Sequence, residues 1–135
     1  MRLWHKDLIP VLPKQQLVAQ WRECCLIARE INVKGTPNHI LVNKILNYPI
    51  EHFFFFRYSR RVFNEMCYRG YNPDWNKFNK YIPEFLSAEY EYINIFEGWH
   101  NDRYLTQCYY NLQEKYDCGG IPDNEWKKLE DGLSF

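Results

Sequence analysis

The chain has 135 residues, 46% hydrophobic and 19% aromatic, with 17 basic residues balanced by 17 acidic ones. This length fits one domain with one core, and no apolar run is long enough to span a bilayer. The zero net charge counts against strong non-specific binding to DNA, whose salt-dependent part scales with local positive charge, but it leaves room for a basic face offset by an acidic one.

In chain order, residues 1–13 read as extended, because Pro10 and Pro13 disfavour helix before them. The opening "MRLWHKDLIPVLPK" is too short and broken for a secretory signal, so a cytoplasmic protein is expected. A first helix is predicted from Lys14 to Ile31, stopping at "NVKG". Thr36 and Pro37 suit N-cap and N1 of a second helix ending before Pro49. A third is predicted from Ile50, with Gly70 as its C-cap. "YNPDWNKFNKYIP" reads as a loop, and "PEFLSAEYEYINIFEGW" as a helix with Pro83 near its first turn. "NDRYLTQCYYNLQEKY" reads as a helix started by Asn101 or Asp102 and closed by "DCGG", and "PDNEWKKLEDG" as a short last one. Period-2 alternation is absent. The expected fold is all-α, a single compact domain over residues 1–135 of about five helices with long loops.

Stepped at 100° per residue, the first helix has an apolar side holding Leu17, Trp21, Cys24, Cys25, Ala28 and Ile31. Gln16, Ala19, Glu23, Leu26 and Glu30 lie opposite, flanked by Arg22 and Arg29. Glu23 beside the small Ala19 leaves space for a ligand, although a glutamate on a polar helix face is ordinarily just solvated.

Several features carry the further reading. Leu8, Leu12, Gln15, Leu17, Ala19, Arg22 and Glu23 form an ungapped pattern, followed by "EMCYRGYN" at Glu65–Asn72 and "IPEF" at Ile82–Phe85. Together they resemble the pyrimidine-dimer DNA glycosylase family, the phage-type endonuclease V fold. The opening "MRLW" with "LVAQWRE" is similar to an uncharacterised bacterial branch of it. The resemblance implies a compact all-α domain that excises ultraviolet-induced pyrimidine dimers and cuts the strand as an abasic-site lyase. It implies double-stranded DNA with a damaged base or abasic site as the partner, a monomer, and no cofactor.

By that resemblance the catalytic carboxylate is Glu23, with Arg22 beside it, and the nucleophile is the terminal α-amine. An α-amine has a pKa of about 7.7–8.0 against about 10.4 for lysine. Far more of it is therefore neutral near pH 7 and able to attack a sugar carbon. Characterised members have a threonine where this chain has Arg2, and methionine is removed only before small residues. Met1 is thus the expected nucleophile, with Arg2 next to it. Gln15 and Gln16 align with DNA-contacting positions. Gln16 replaces a histidine and Leu26 an arginine, and Tyr109, Tyr110, Lys115 and Tyr116 are loose counterparts of a basic-aromatic C-terminal tract.

Other candidates come from the residues themselves. Arg57, Arg60 and Arg61 share a helix face, with Arg69 further along, and such a row can follow a phosphate backbone. Arg103 is a further phosphate contact candidate. "HFFFF" should be deeply packed. Cys24, Cys25, Cys67, Cys108 and Cys118 are odd in number and lack a CxxC, so free thiols are expected. With His5, His39, His52 and His100 they match no zinc spacing, so no metal is expected. Glu97 and Asp102 near His100 read as solvated charges. Two other functions stay open: a non-catalytic nucleic-acid-binding module and a protein-interaction domain, each keeping the fold.

Overall fold

The computed structural model describes residues 2–37, 39–48, 52–83 and 94–133. Among them are five α-helices: α1 (Lys14–Lys34), α2 (Phe53–Tyr68), α3 (Asn76–Asn79), α4 (Asp102–Asp117) and α5 (Asp123–Gly132). Two 3-10 helices, Lys6–Val11 and Asn43–Asn47, complete the set, and no described residue is in a strand. The fold is all-α, as the sequence indicated. No described helix is long and apolar enough to cross a membrane.

Helix α1 begins after Pro13, whose carbonyl accepts Leu17 N–H at 2.9 Å. It ends at Gly35, which takes a φ of 80° and donates its N–H to the Ile31 carbonyl. Helix α2 closes in a Schellman motif: Gly70 N–H bonds to the Cys67 carbonyl at 3.0 Å and Tyr71 N–H to Met66 at 2.9 Å. Gly70 supplies the positive φ of 88° this requires, one position past the C-cap Arg69. Asn101 caps α4 by accepting Tyr104 N–H at 2.9 Å.

Helix α1 packs on α2 and α3, and the first 3-10 helix packs on α2 and α5. Phe53, Phe54, Phe55 and Phe56 are all buried, as the run of four phenylalanines suggests. Four consecutive buried positions cover every side of a helix, so α2 begins inside the protein. Phe54 meets Tyr48 and Phe96, while Phe55 and Phe56 meet Phe78. Each such ring contributes roughly 1.5–3 kcal/mol by leaving water. Trp21 of α1 stacks on Trp75 at 5.9 Å, closing the other end of the core.

Several expectations are corrected. Residues 6–11 form a 3-10 helix rather than extended chain, because His5 Nδ1 accepts Asp7 N–H at 3.1 Å and caps the turn. Pro10 fits inside it, since its fixed φ of about −65° matches 3-10 geometry. The second predicted helix is absent: residues 40–42 form turns leading into the short 3-10 helix. There the His39 carbonyl accepts from both Val42 and Asn43 N–H, and the Asn43 amide faces the His39 and Pro37 carbonyls. Side chains that bind nearby carbonyls in this way compete with helix propagation. The helix predicted from Pro83 falls mostly on residues 84–93, outside the described residues, and residues 95–99 are turns with Phe96 at a φ of 55°. Helix α1 also runs one turn further than Ile31, and "YNPDWNKFNKYIP" contains α3.

Candidate active site

The segment before the first 3-10 helix lies across α1 and is fixed backbone atom by backbone atom. Trp4 N–H donates to Gln20 Oε1 at 2.8 Å, and the Trp4 carbonyl accepts the Tyr58 hydroxyl at 2.6 Å. The Leu3 carbonyl accepts the Tyr104 hydroxyl at 2.5 Å, and Lys6 N–H donates to His100 Nδ1 at 2.9 Å. Leu3 is fully buried and Trp4 nearly so. Hydrogen bonds away from water are costly to leave unmade, so the register of this arm is tightly set. At its far end Arg69 bonds Glu65 at 2.9 Å and the Ile9 and Pro10 carbonyls at 3.3 Å.

The arm brings Arg2 to Glu23. Arg2 N–H donates to Glu23 Oε2 at 3.2 Å, 21 residues apart in sequence. Glu23 is half-buried rather than solvated. The Arg2 guanidinium sits 5.2 Å over the Trp4 ring, near the Tyr104 hydroxyl and the Cys108 thiol.

Glu23 lines a cleft of about 790 Å³, together with Arg2, Gln15, Gln16 and Arg22 from the sequence candidates. Lys14, His39, Leu41, Asn111 and Lys115 also line it. Against the single carboxylate stand the four cations Arg2, Lys14, Arg22 and Lys115, so a chain with no net charge presents a positive cleft. The sequence signal for Lys115 was a loose one; Lys14 and His39 are brought in by tertiary folding alone.

The remaining arginine candidates do not line the cleft. The Arg60 guanidinium covers Trp75 at 4.6 Å, and that of Arg57 covers Phe53 at 5.9 Å. Burial lowers the Arg61 pKa. Arg69 directs its donors to Glu65 and the arm, and Arg103 is an exposed residue near the start of α4. Met1 lies outside the described residues.

The structure adds Gln20 and Tyr58, which sequence reasoning missed. Gln20 is only 1% exposed. Its place three residues after Leu17 and four before Cys24, on the apolar side, was the available signal.

Burial pushes the Cys24 thiol well up, the Cys25 thiol up to about 11 and the Cys108 thiol up. These sulfurs are therefore protonated and poor nucleophiles near neutral pH. All five cysteines are unpaired. Among the described residues no group of three or more His, Cys, Asp and Glu side chains is arranged to hold a metal. His100 is held at about 2 by burial, with His5, Lys6 and Arg61 adding to the effect.

A family model described as pyrimidine dimer DNA glycosylase matches residues 1–79. No curated protein and no solved structure gives a match. The matched region includes the arm, α1 with Glu23, α2 and α3, but not α4 or α5. With more than half of its 135 residues matched, this chain belongs to the pyrimidine dimer DNA glycosylase family.

Proposed function

We propose that this single-domain protein is a monomeric DNA-repair glycosylase with abasic-site lyase activity, acting on damaged pyrimidines in double-stranded DNA through the Met1 α-amine and Glu23. The observation that carries this reading is the hydrogen bond from Arg2 N–H to Glu23 Oε2 inside a positively charged cleft. Covalent geometry keeps an amine on the preceding residue within about 4 Å of that nitrogen. The bonds at Leu3 and Trp4 hold Arg2 against the carboxylate, which supports an amine acting from the preceding residue.

The chemistry follows from those groups. The neutral amine attacks C1′ of the deoxyribose; the N–C1′ bond forms as the glycosidic bond breaks, and the base leaves with the electron pair and gains a proton. Ring opening gives a Schiff base, which acidifies the C2′ proton. Removing that proton expels the 3′ phosphate by β-elimination. Glu23 stabilises the cationic intermediate and carries protons. Arg22 and Lys115 offer charge-assisted contacts to flanking phosphates, and Gln15 and Gln16 offer polar ones. Arg57, Arg60, Arg61 and Arg103 are left as candidate contacts to DNA beyond the cleft.

The test is borohydride reduction of the protein with an abasic duplex. A covalent adduct that disappears when the α-amine is reductively methylated supports the reading. An adduct unaffected by methylation rules out the amine, and no adduct with wild-type protein leaves a DNA-binding module without the chemistry.

A further inference from the structure

Residues 39–42 make an apolar tip on the cleft rim. Ile40 is 82% exposed and Leu41 49%, while the adjacent Val42 is 0% and Ile45 2%. The tip is therefore anchored from within by its own chain. Val42 N–H and Asn43 N–H both bond to the His39 carbonyl, at 3.1 and 3.0 Å, and Leu41 N–H bonds to His39 Nδ1 at 3.2 Å. Isolated surface hydrophobes need no explanation, but these two are neighbours on a hydrogen-bonded turn. His39 and Leu41 also line the same cleft as Glu23. Lys34 and Lys44, both exposed, lie on either side in sequence.

We infer that Ile40 and Leu41 form a wedge that enters the base stack beside the lesion and opens the duplex, so that the sugar reaches Glu23. This rests on the reading of the cleft as a glycosylase and lyase site. The occupant is one unstacked base step of double-stranded DNA. Its faces are apolar and match the branched side chains, and its flanking phosphates match the positive cleft and the two lysines. Apolar side chains inserted between base steps act in this way in proteins that kink DNA. Insertion also takes Ile40 and Leu41 out of water, which offsets the lost stacking. A damaged step stacks poorly, so it opens at lower cost than an intact one and the wedge favours it.

The experiment compares wild type with Ile40→Ser, a position outside the cleft lining, after thermal melting shows that both are folded. One probe is a duplex holding an abasic site next to 2-aminopurine; the other is the same abasic strand alone. Wild-type binding should raise the 2-aminopurine fluorescence, and the variant should leave it low even at saturation. Borohydride trapping by the variant should slow by roughly tenfold to a hundredfold on the duplex, the range expected from a stacking cost of a few kcal/mol. It should match wild type on the single strand, which needs no opening. Equal fluorescence and equal duplex trapping would overturn the wedge, and so would an equal loss on both substrates. If wild type traps neither substrate, the lyase reading fails, while the fluorescence comparison still decides the wedge.

Discussion

Acidification should destabilise this protein through a pair of buried imidazoles. His5 and His100 stack at 5.1 Å, and His100 Nδ1 accepts Lys6 N–H, which fixes a neutral ring at the end of the arm. Burial is the first cause of the low His100 pKa of about 2, followed by the positive charge of His5, Lys6 and Arg61. In the unfolded chain the same ring has its ordinary value near 6.5. Above pH 6.5 both states hold it neutral and nothing is lost. Below it the unfolded state binds a proton that the native state refuses, so stability falls with pH until the folded value is reached. At pH 4.5 the loss from His100 is about 2.7 kcal/mol, at about 1.4 kcal/mol per pH unit. His5 is lowered in the same direction, again by burial first. Against a total stability of about 5–15 kcal/mol that loss is large. Urea unfolding followed by tryptophan fluorescence at pH 7.5 and 4.5 measures it, for wild type and for His100→Asn. Asparagine does not titrate and retains an acceptor for Lys6 N–H, so its loss should be smaller by about 2.7 kcal/mol. Equal losses in the two proteins, or an NMR titration of His100 near pH 6.5, would refute the reasoning.

Other outcomes can be checked directly. Glu23→Gln should lower abasic-strand cleavage by roughly 10²–10⁴-fold while binding abasic DNA almost as wild type does, because it keeps the side-chain size but loses the charge; gel-based cleavage and a gel shift read the two effects. Tyr58→Phe removes the donor to the buried Trp4 carbonyl. It should cost about 1–3 kcal/mol in urea unfolding and slow trapping by up to about 10²-fold if the arm shifts by about 1 Å. In the native protein a thiol alkylator should label the exposed Cys67 and Cys118 first and spare the buried Cys24 and Cys108. After denaturation without reductant, mass analysis should show all five labelled.

What could be read from the sequence was local. Pro13 and Gly35 mark the ends of α1, Asn101 caps α4, and the apolar spacing of Leu17, Trp21, Cys24 and Ala28 identifies the buried side. The second predicted helix failed because the His39 carbonyl and the Asn43 side chain form their own turn, an outcome that propensity does not encode. Ile27 is buried, and Cys25 only partly so, because α1 is flanked by more than one partner. The helical wheel placed Glu23 away from the core, which holds, but not out in solvent. Its partner is Arg2, and Gln20 has Trp4, across 21 and 16 residues. Pairings at such separations leave no periodic trace. The positive cleft escaped composition for the same reason: acidic residues elsewhere balance Arg2, Lys14, Arg22 and Lys115.

The two ends of the described chain hold each other. Lys14 N–H donates to Glu125 Oε1 of α5 at 2.7 Å, and a methyl group added at Gly132 would come within 2.5 Å of Val11 Cγ1. His100 and Tyr104 grip the arm from the start of α4. During translation the seat of the arm is therefore completed only by residues made about a hundred positions after it. A chain ending before His100 keeps the Gln20 and Tyr58 bonds to Trp4 but lacks those to Leu3 and Lys6, so the contact between Arg2 and Glu23 has only part of its support.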